Sequence, residues 1–306
     1  MTDTRSGTVH ETGGGVYSVV LDDGTRIEAS LRGRLKQERR TGSRVVIGDR
    51  VRVSSGDGAW TIESVEERST ELVRRGRGGR APGILAANLD RVFTVVALRG
   101  PAATVQLIDR ILVLVESSGM RPMLVLNKTD LEGASATADD FGRLYETIGY
   151  RVFRTSVETG EGLDSLLDEI CSGSSALIGP SGVGKSSLLN ALDPKLELRT
   201  GALSRKTGTG RHTTVGSRLI SMTCGGLVAD TPGFGDVGLW AVRPEAVADC
   251  FPEFAEHGGG CQFRTCTHIH EPGCGVREAL ASGRIVASRH ESYVTLRAEA
   301  EDASAR

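Results

Sequence analysis

Ser175-Ala-Leu-Ile-Gly-Pro-Ser-Gly-Val-Gly-Lys-Ser-Ser-Leu-Leu-Asn190 decides the fold. An apolar strand, Ser175 to Ile178, enters a glycine-rich loop, and Ser187 to Asn190 begins a helix. Gly179, Pro180, Ser181, Gly182, Val183, Gly184, Lys185 and Ser186 fit the pattern G-x-x-x-x-G-K-S/T, with Ser187 directly after it. The glycines let consecutive backbone N–H groups turn toward phosphate at a helix N-terminus, where the helix dipole also favours an anion. Lys185 is placed to reach the β- and γ-oxygens and Ser186 to ligate Mg2+.

Upstream of this loop, apolar strands alternate with segments of helical spacing. Strands are expected over Arg91–Leu98, Met123–Leu126 and Arg151–Thr155, and helices over Val105–Glu116, Asp139–Ile148 and Leu163–Ile170. This alternation predicts an α/β domain with a parallel sheet covered on both faces. Asn127-Lys128-Thr129-Asp130 ends the second of these strands. Guanine presents N1–H and a 2-amino group side by side, and the Asp130 carboxylate can accept both. Asn127 can bond the base's acceptors, and the Lys128 stem can cover its face. Adenine lacks those donors and would leave the carboxylate unpaired, so a site of this kind discriminates strongly. Ser156 and Val157, after the next strand, occupy the position of a loop that supports guanine through its backbone, with Val157 departing from the familiar Ser-Ala.

The order of these motifs is the informative point. The base motif stands at residue 127 and the phosphate loop at 179, and no second Asn-Lys-x-Asp follows. Either the tetrapeptide is a coincidence in an ATPase, or the domain is circularly permuted. The Ser156 loop between the two motifs favours permutation. Downstream, Asp230-Thr-Pro-Gly-Phe234 follows an apolar strand. Asp230 suits a Mg2+-holding role, and Gly233 can offer its N–H to the γ-phosphate. Phe234 stands where many GTPases carry a water-orienting Gln, and a phenyl ring cannot polarise water. In the glycine-rich segment Lys206–Thr214, His212 is the candidate catalytic residue and Thr213 or Thr214 a candidate Mg2+ ligand.

The flanks read differently. Five or so short strands within residues 8–73 suggest a small β-barrel, with an OB fold as first choice and an SH3-like barrel as the alternative. Two basic runs lie here: Arg32, Arg34, Lys36, Arg39, Arg40 and Arg44, and the linker-like stretch Arg74 to Gly83. Both read first as solvated loops. Beyond Trp240 the chain turns polar and helical, with few aromatic residues to build a core. There Cys261, Cys266, His268 and Cys274 supply three thiolates and an imidazole, a full set for structural tetrahedral Zn2+, with His270 as a competing ligand. Cys171, Cys224 and Cys250 are expected to be ordinary buried residues. The expectation is thus a multidomain chain: β-barrel 1–75, permuted α/β P-loop GTPase domain 76–238, and mainly α zinc-binding domain 239–306.

Net charge is −2, so no global basic field points to nucleic acid. The apolar runs are far shorter than the ~20 residues of a membrane span, and the N-terminus has no apolar stretch of the signal-peptide kind. A cytoplasmic protein without membrane contact is expected.

The joint order of Asn127–Asp130, Gly179–Ser187, Gly210–Thr214, Asp230–Phe234 and the cysteine cluster resembles the ribosome-small-subunit-dependent GTPase A family, RsgA, over nearly the whole chain. That resemblance implies an OB-type barrel, a catalytic role for His212, zinc on Cys261, Cys266, His268 and Cys274, and a monomer that binds GTP and GDP. It also implies contact with 16S rRNA and the small ribosomal subunit during late maturation, and hydrolysis stimulated by that subunit. It turns the run Arg32 to Arg44, with Arg32, Arg34, Lys36, Arg39 and Arg40 foremost, into a candidate phosphate-backbone contact. Val215, where Thr is common, departs from the family pattern. Replacing His212→Ala should leave GTP affinity nearly unchanged while turnover falls by about 100-fold. Single-turnover hydrolysis at the wild-type rate would remove His212 from the mechanism.

Overall fold

A computed structural model describes residues 4–33, 44–56, 58–74, 83–99, 102–198, 217–230 and 242–304. The calls on Arg34, Lys36, Arg39, Arg40, His212, Thr213, Thr214 and Gly233 lie outside these residues. The chain gathers into two compact units. One comprises Met1–Val92, Asp164–Leu177 and Ser186–Phe234; the other comprises Phe93–Leu163, Ile178–Lys185 and Gly235–Arg306.

The first unit opens with strands β1 (Thr4–Gly13), β2 (Val16–Leu21), β3 (Arg26–Leu31), β4 (Arg50–Gly56) and β5 (Ala59–Val65). Their order is β1-β2-β3-β5-β4, and antiparallel pairing of β1 with β4 closes the barrel. Among the adjacent pairs only β3–β5 is parallel, which is the connectivity of the OB fold and decides against the SH3-like alternative. Strict alternation makes this possible: in β2 and β3 every second residue is buried, so Tyr17, Val19, Leu21, Ile27, Ala29 and Leu31 line one core with Val9, Val51, Val53 and Ile62. The ends of the expected linker are strands, β6 (Glu71–Arg74) and β7 (Gly83–Ala87), paired antiparallel.

The same unit contains helix α3 (Leu163–Cys171, which begins one residue before it), β11 (Ser174–Ile178, which ends one residue beyond it), β12 (Arg218–Ser221) and β13 (Leu227–Asp230). β13 pairs with β11 in parallel and with β12 antiparallel. β12 in turn meets β1 of the barrel at Glu11↔Arg218. Strand β12 is absent from the sequence expectation, because its four residues carry no motif. A further correction concerns the cysteines: Cys171 and Cys224 are joined in a disulfide, whereas Cys250 is free and buried as expected.

The second unit holds most of β8 (Arg91–Ala97), with β9 (Arg121–Asn127) and β10 (Arg151–Thr155) beside it in the order β10-β9-β8. β8 and β9 are near-continuous apolar runs, buried along most of their length, as covered parallel strands require. Helix α1 (Val105–Ser117) starts where the Thr104 side chain accepts from the Leu107 N–H at 3.2 Å, and buries Ile108, Ile111, Leu112 and Val115. Helix α2 (Ala134–Ile148) is longer than its expected core. Helix α4 (Lys185–Leu192), at the end of the phosphate loop, belongs from Ser186 on to the first unit; the C-terminal region of the second contains a 3-10 turn, Pro244–Cys250, and helices α5 (Pro252–Gly258), α6 (Gly275–Ala281) and α7 (Ala287–Ser304). Its few aromatic residues are concentrated: Tyr293 packs on Phe251 and Phe254 at 5.4 and 4.9 Å. No helix among the described residues is long and apolar enough to cross a membrane.

The C-terminal helices are fixed to α1 by a buried charge cluster. Arg289 is 1% exposed and bonds the fully buried Asp109, while its Nε and Nη2 reach the Glu253 carboxylate at 2.8 and 3.0 Å. Tyr145 donates its hydroxyl to the same Asp109 oxygen at 2.6 Å, and the guanidinium lies 4.4 Å over the Phe251 ring. Only a planar, multiply donating cation serves both carboxylates and the ring at once. Removing it strands the buried Asp109 and the half-buried Glu253, a loss of about 3 kcal/mol or more. Arg289→Met and Arg289→Lys should therefore both lower the thermal midpoint, Met more than Lys. An unchanged midpoint in calorimetry would show that the cluster does not hold these helices.

Candidate functional site

The base motif sits at the C-terminal end of β9, where ligands gather in open parallel sheets. Asn127 is 1% exposed. Its Nδ2 donates to the Val183 carbonyl of the phosphate loop at 2.8 Å, and its Oδ1 accepts from the Thr155 hydroxyl at 3.0 Å. Lys128 takes a left-handed backbone (φ 64°), and its Nζ reaches the Gly182 carbonyl at 2.8 Å. Two successive residues of the motif thus hold two successive residues of the loop. Ser156 is fully buried and donates to Asp130 Oδ1 at 2.6 Å, which orients an exposed carboxylate. Val157, half-buried, follows it at the loop's edge.

Sequence reasoning missed two supporting residues. Thr129 donates its hydroxyl to Glu161 at 2.6 Å, and the Ser156 N–H donates to the Glu161 carbonyl at 3.1 Å, so Glu161 clasps the base motif to the loop after β10. Thr155 orients Asn127. Glu161 belongs to no motif; Thr155 begins the Ser156 loop, and the parallel register Thr155↔Asn127 is what reveals its role.

The phosphate loop runs Gly179, Pro180, Ser181, Gly182, Val183 and Gly184 into Lys185, Ser186 and Ser187 at the start of α4. Two of its glycines are required sterically. A Cβ at Gly179 would lie 2.0 Å from the Val95 carbonyl oxygen, and one at Gly184 (φ 99°) would lie 2.6 Å from Asn127 Nδ2. The second contact shows why the base motif can approach the loop so closely. Lys185 Nζ donates to the Gly179 and Pro180 carbonyls at 2.7 and 2.8 Å, curling back over the loop's first turn. Burial pushes its pKa below the usual lysine range. Ser186 is half-buried, and Asp230 ends β13, where Arg218 Nε approaches its Oδ2 at 3.2 Å.

The cysteine cluster forms a second constellation. One ligand atom from each of Cys261, Cys266, His268 and Cys274 lies within 4.8 Å of the others, and these four can hold a metal ion. His268 presents Nδ1, 3.5 Å from Cys261 Sγ and 3.4 Å from Cys274 Sγ; His270 is exposed and does not join the set. The intervening loop is built around Glu271, which accepts from the Thr267 N–H and hydroxyl at 2.8 and 2.5 Å. Tyr293 and His290 of α7 reach the Thr267 and His268 carbonyls at 2.5 and 2.8 Å, so the helix fixes the ligand loop. Of the basic candidates, Arg32 is described: it pairs with Glu63 on the barrel surface.

Comparison with known proteins agrees with this geometry. The sequence profile of the RsgA GTPase family matches residues 65–240. The small ribosomal subunit biogenesis GTPase RsgA of Gemmatimonas aurantiaca is 45% identical over 303 residues, covering 98% of each chain. The protein of the same name from Geobacillus thermodenitrificans is 39% identical over 289 residues, 94% of each chain. The crystal structure of YjeQ from Thermotoga maritima superposes with a TM-score of 0.80 at 33% identity, over 97% of this chain and 99% of that one. YloQ, described as a circularly permuted GTPase, gives 0.76 at 30% identity over 98% and 96%. With its base motif ahead of its phosphate loop in sequence and bonded to it in space, this chain belongs to the RsgA GTPase family.

Proposed function

We propose that this GTPase acts in late maturation of the small ribosomal subunit, contacting 16S rRNA and hydrolysing GTP faster when the subunit is bound. The observation that carries the reading is the pair of bonds from Asn127 and Lys128 to the phosphate loop, which join the proposed guanine-selecting motif to the proposed phosphate site. The names of the relatives supply the ribosomal half of the proposal.

Asn127, Lys128, Thr129, Asp130, Ser156 and Val157 would hold the base, and Gly179 to Ser187 with Gly233 the phosphates. Ser186, Asp230 and Thr213 or Thr214 would ligate Mg2+, which supplies charge neutralisation at the β- and γ-oxygens when bound. Asp230 would exchange its Arg218 partner for the ion. His212 would orient the attacking water in place of the Gln that Phe234 displaces. Arg32, Arg34, Lys36, Arg39 and Arg40 would meet the rRNA backbone from the barrel. The functional divisions are residues 1–75, 76–238 and 239–306, in a cytoplasmic monomer.

The cysteine cluster would hold one structural Zn2+. Bond lengths of about 2.3 Å to sulfur and about 2.0 Å to nitrogen imply tetrahedral edges of about 3.8 Å between sulfurs and about 3.5 Å from sulfur to nitrogen. The spacings here are 3.9 Å between the Cys261 and Cys274 sulfurs and 3.4–3.5 Å from His268 Nδ1 to those sulfurs. Four protein donors leave no open position for substrate, so the ion's work is to fix the ligand loop against α7.

Two measurements test these readings. GTP turnover should rise on addition of small ribosomal subunits and stay at its basal value with large subunits. Equal basal rates in both would favour a GTP-responsive binding module whose hydrolysis is incidental. Elemental analysis should find one zinc per chain, lost in Cys274→Ser together with helical signal from the C-terminal region. A metal-free protein with that signal intact would refute the zinc assignment.

A further inference from the structure

The disulfide between Cys171 and Cys224 lies outside every motif used so far, and its position is specific. Cys171 closes α3, and β11 begins at Ser174; Cys224 sits in the turn between β12 and β13, and β13 begins at Leu227. The two sulfurs therefore join the chain at the same end of two paired strands, with registers Ser174↔Leu227, Ser175↔Val228 and Ala176↔Ala229. From the opposite end of these strands, β11 continues into Gly179 of the phosphate loop and β13 finishes at Asp230.

The turn that carries Cys224 is held from both sides of the phosphate-loop segment. On one side Leu227 N–H donates to the Gly173 carbonyl at 3.0 Å, and a Cβ at Gly226 would fall 2.4 Å from the Ile170 carbonyl oxygen, so the turn packs on the last turn of α3. On the other side Asp193, directly after α4, accepts from the Thr223 N–H and hydroxyl at 2.7 and 3.1 Å. The covalent link spans 53 residues of sequence, and the ring it closes contains the entire phosphate loop and α4. Cys224 is exposed and Cys171 partly so, in contrast to the buried thiols of Cys250 and Cys274. Exposed disulfides are the labile, regulatory kind, open to attack by external thiolates.

We propose that Cys171–Cys224 is a redox-modification site, opened by a dithiol reductant, that staples the two strands feeding the nucleotide site. One thiolate of the reductant attacks Cys224 Sγ. The S–S bond breaks, and its electron pair leaves on Cys171 Sγ, which takes up a proton. The second thiol of the reductant then attacks the mixed disulfide and releases Cys224 as a thiolate, which is protonated in turn. The protein gains two electrons and two protons as two thiols, and the reductant departs as a disulfide. The oxidised state limits the unfolded chain and holds the β11–β13 register; the reduced state leaves that register to hydrogen bonds alone. This inference does not depend on the ribosomal reading.

The test equilibrates the full-length, zinc-loaded protein in a series of reduced-to-oxidised dithiothreitol ratios. Zinc content is followed throughout, because the cluster cysteines also meet the reagent. Alkylation of Cys171 and Cys224 should show a single reversible transition. Across it the thermal midpoint should fall by about 5 °C or more, and release of a fluorescent GDP analogue should quicken. The variant Cys171→Ser/Cys224→Ser should match the reduced wild type and ignore the reagent. Both cysteines alkylating before any reductant is added would overturn the proposal. So would identical midpoints or identical GDP release in the two redox states of zinc-loaded wild type, a comparison that needs no variant to fold.

Discussion

Two hydrogen bonds set the terms for the rest of this molecule: the Asn127 amide to the Val183 carbonyl, and the Lys128 ammonium to the Gly182 carbonyl. They bring the end of β9 against the phosphate loop and oblige Gly184 to be glycine, because a Cβ there would strike the asparagine amide. A nucleotide site needs its base-reading and phosphate-reading parts at a fixed separation, whatever their order along the chain. These contacts supply that separation across more than fifty residues. Permutation therefore costs the site nothing locally; it changes which segments are carried out at the two ends of the domain.

At one end the barrel is joined to the sheet through β12, which pairs with β1 on one side and with β13 on the other. Asp230 thus ends a strand whose neighbour, β12, is itself paired with barrel strand β1. At the other end the cysteine loop is held by α7, and α7 is held to α1 by Arg289, Asp109 and Glu253. The ionic cluster is enclosed by Tyr145 and Phe251, so its charges are compensated by partners rather than by water. The ion-paired cluster and the four residues that can hold a metal thus both bear on α7.

Much of this was legible in the sequence, for stated reasons. Period-two alternation in β2 and β3 and unbroken apolar runs in β8 and β9 revealed barrel and parallel sheet. Phosphate loop, base motif and cysteine ligands are short constellations whose chemistry depends on spacing, and spacing is what a sequence displays. The illegible parts depend on long-range pairing. The Cys171–Cys224 link joins residues 53 apart with no spacing signature. Strand β12 has four residues and no periodicity to detect. Glu161 acts on Thr129 through a loop contact that no local pattern encodes, and Arg289 reads as one more surface arginine on a polar helix until α1 is packed against it.

Asp130, oriented by the buried Ser156 and tied through Asn127 and Lys128 to the phosphate loop, is expected to make this a guanine-selective site. Calorimetric titration of the intact protein with GDP and with ADP, in the presence of Mg2+, tests it most directly. GDP should bind tighter than ADP by about 1,000-fold or more, since adenine leaves the carboxylate without its two donors. Affinities within about tenfold of each other would contradict it, and would make Asn127–Asp130 a chance tetrapeptide beside an unselective phosphate loop.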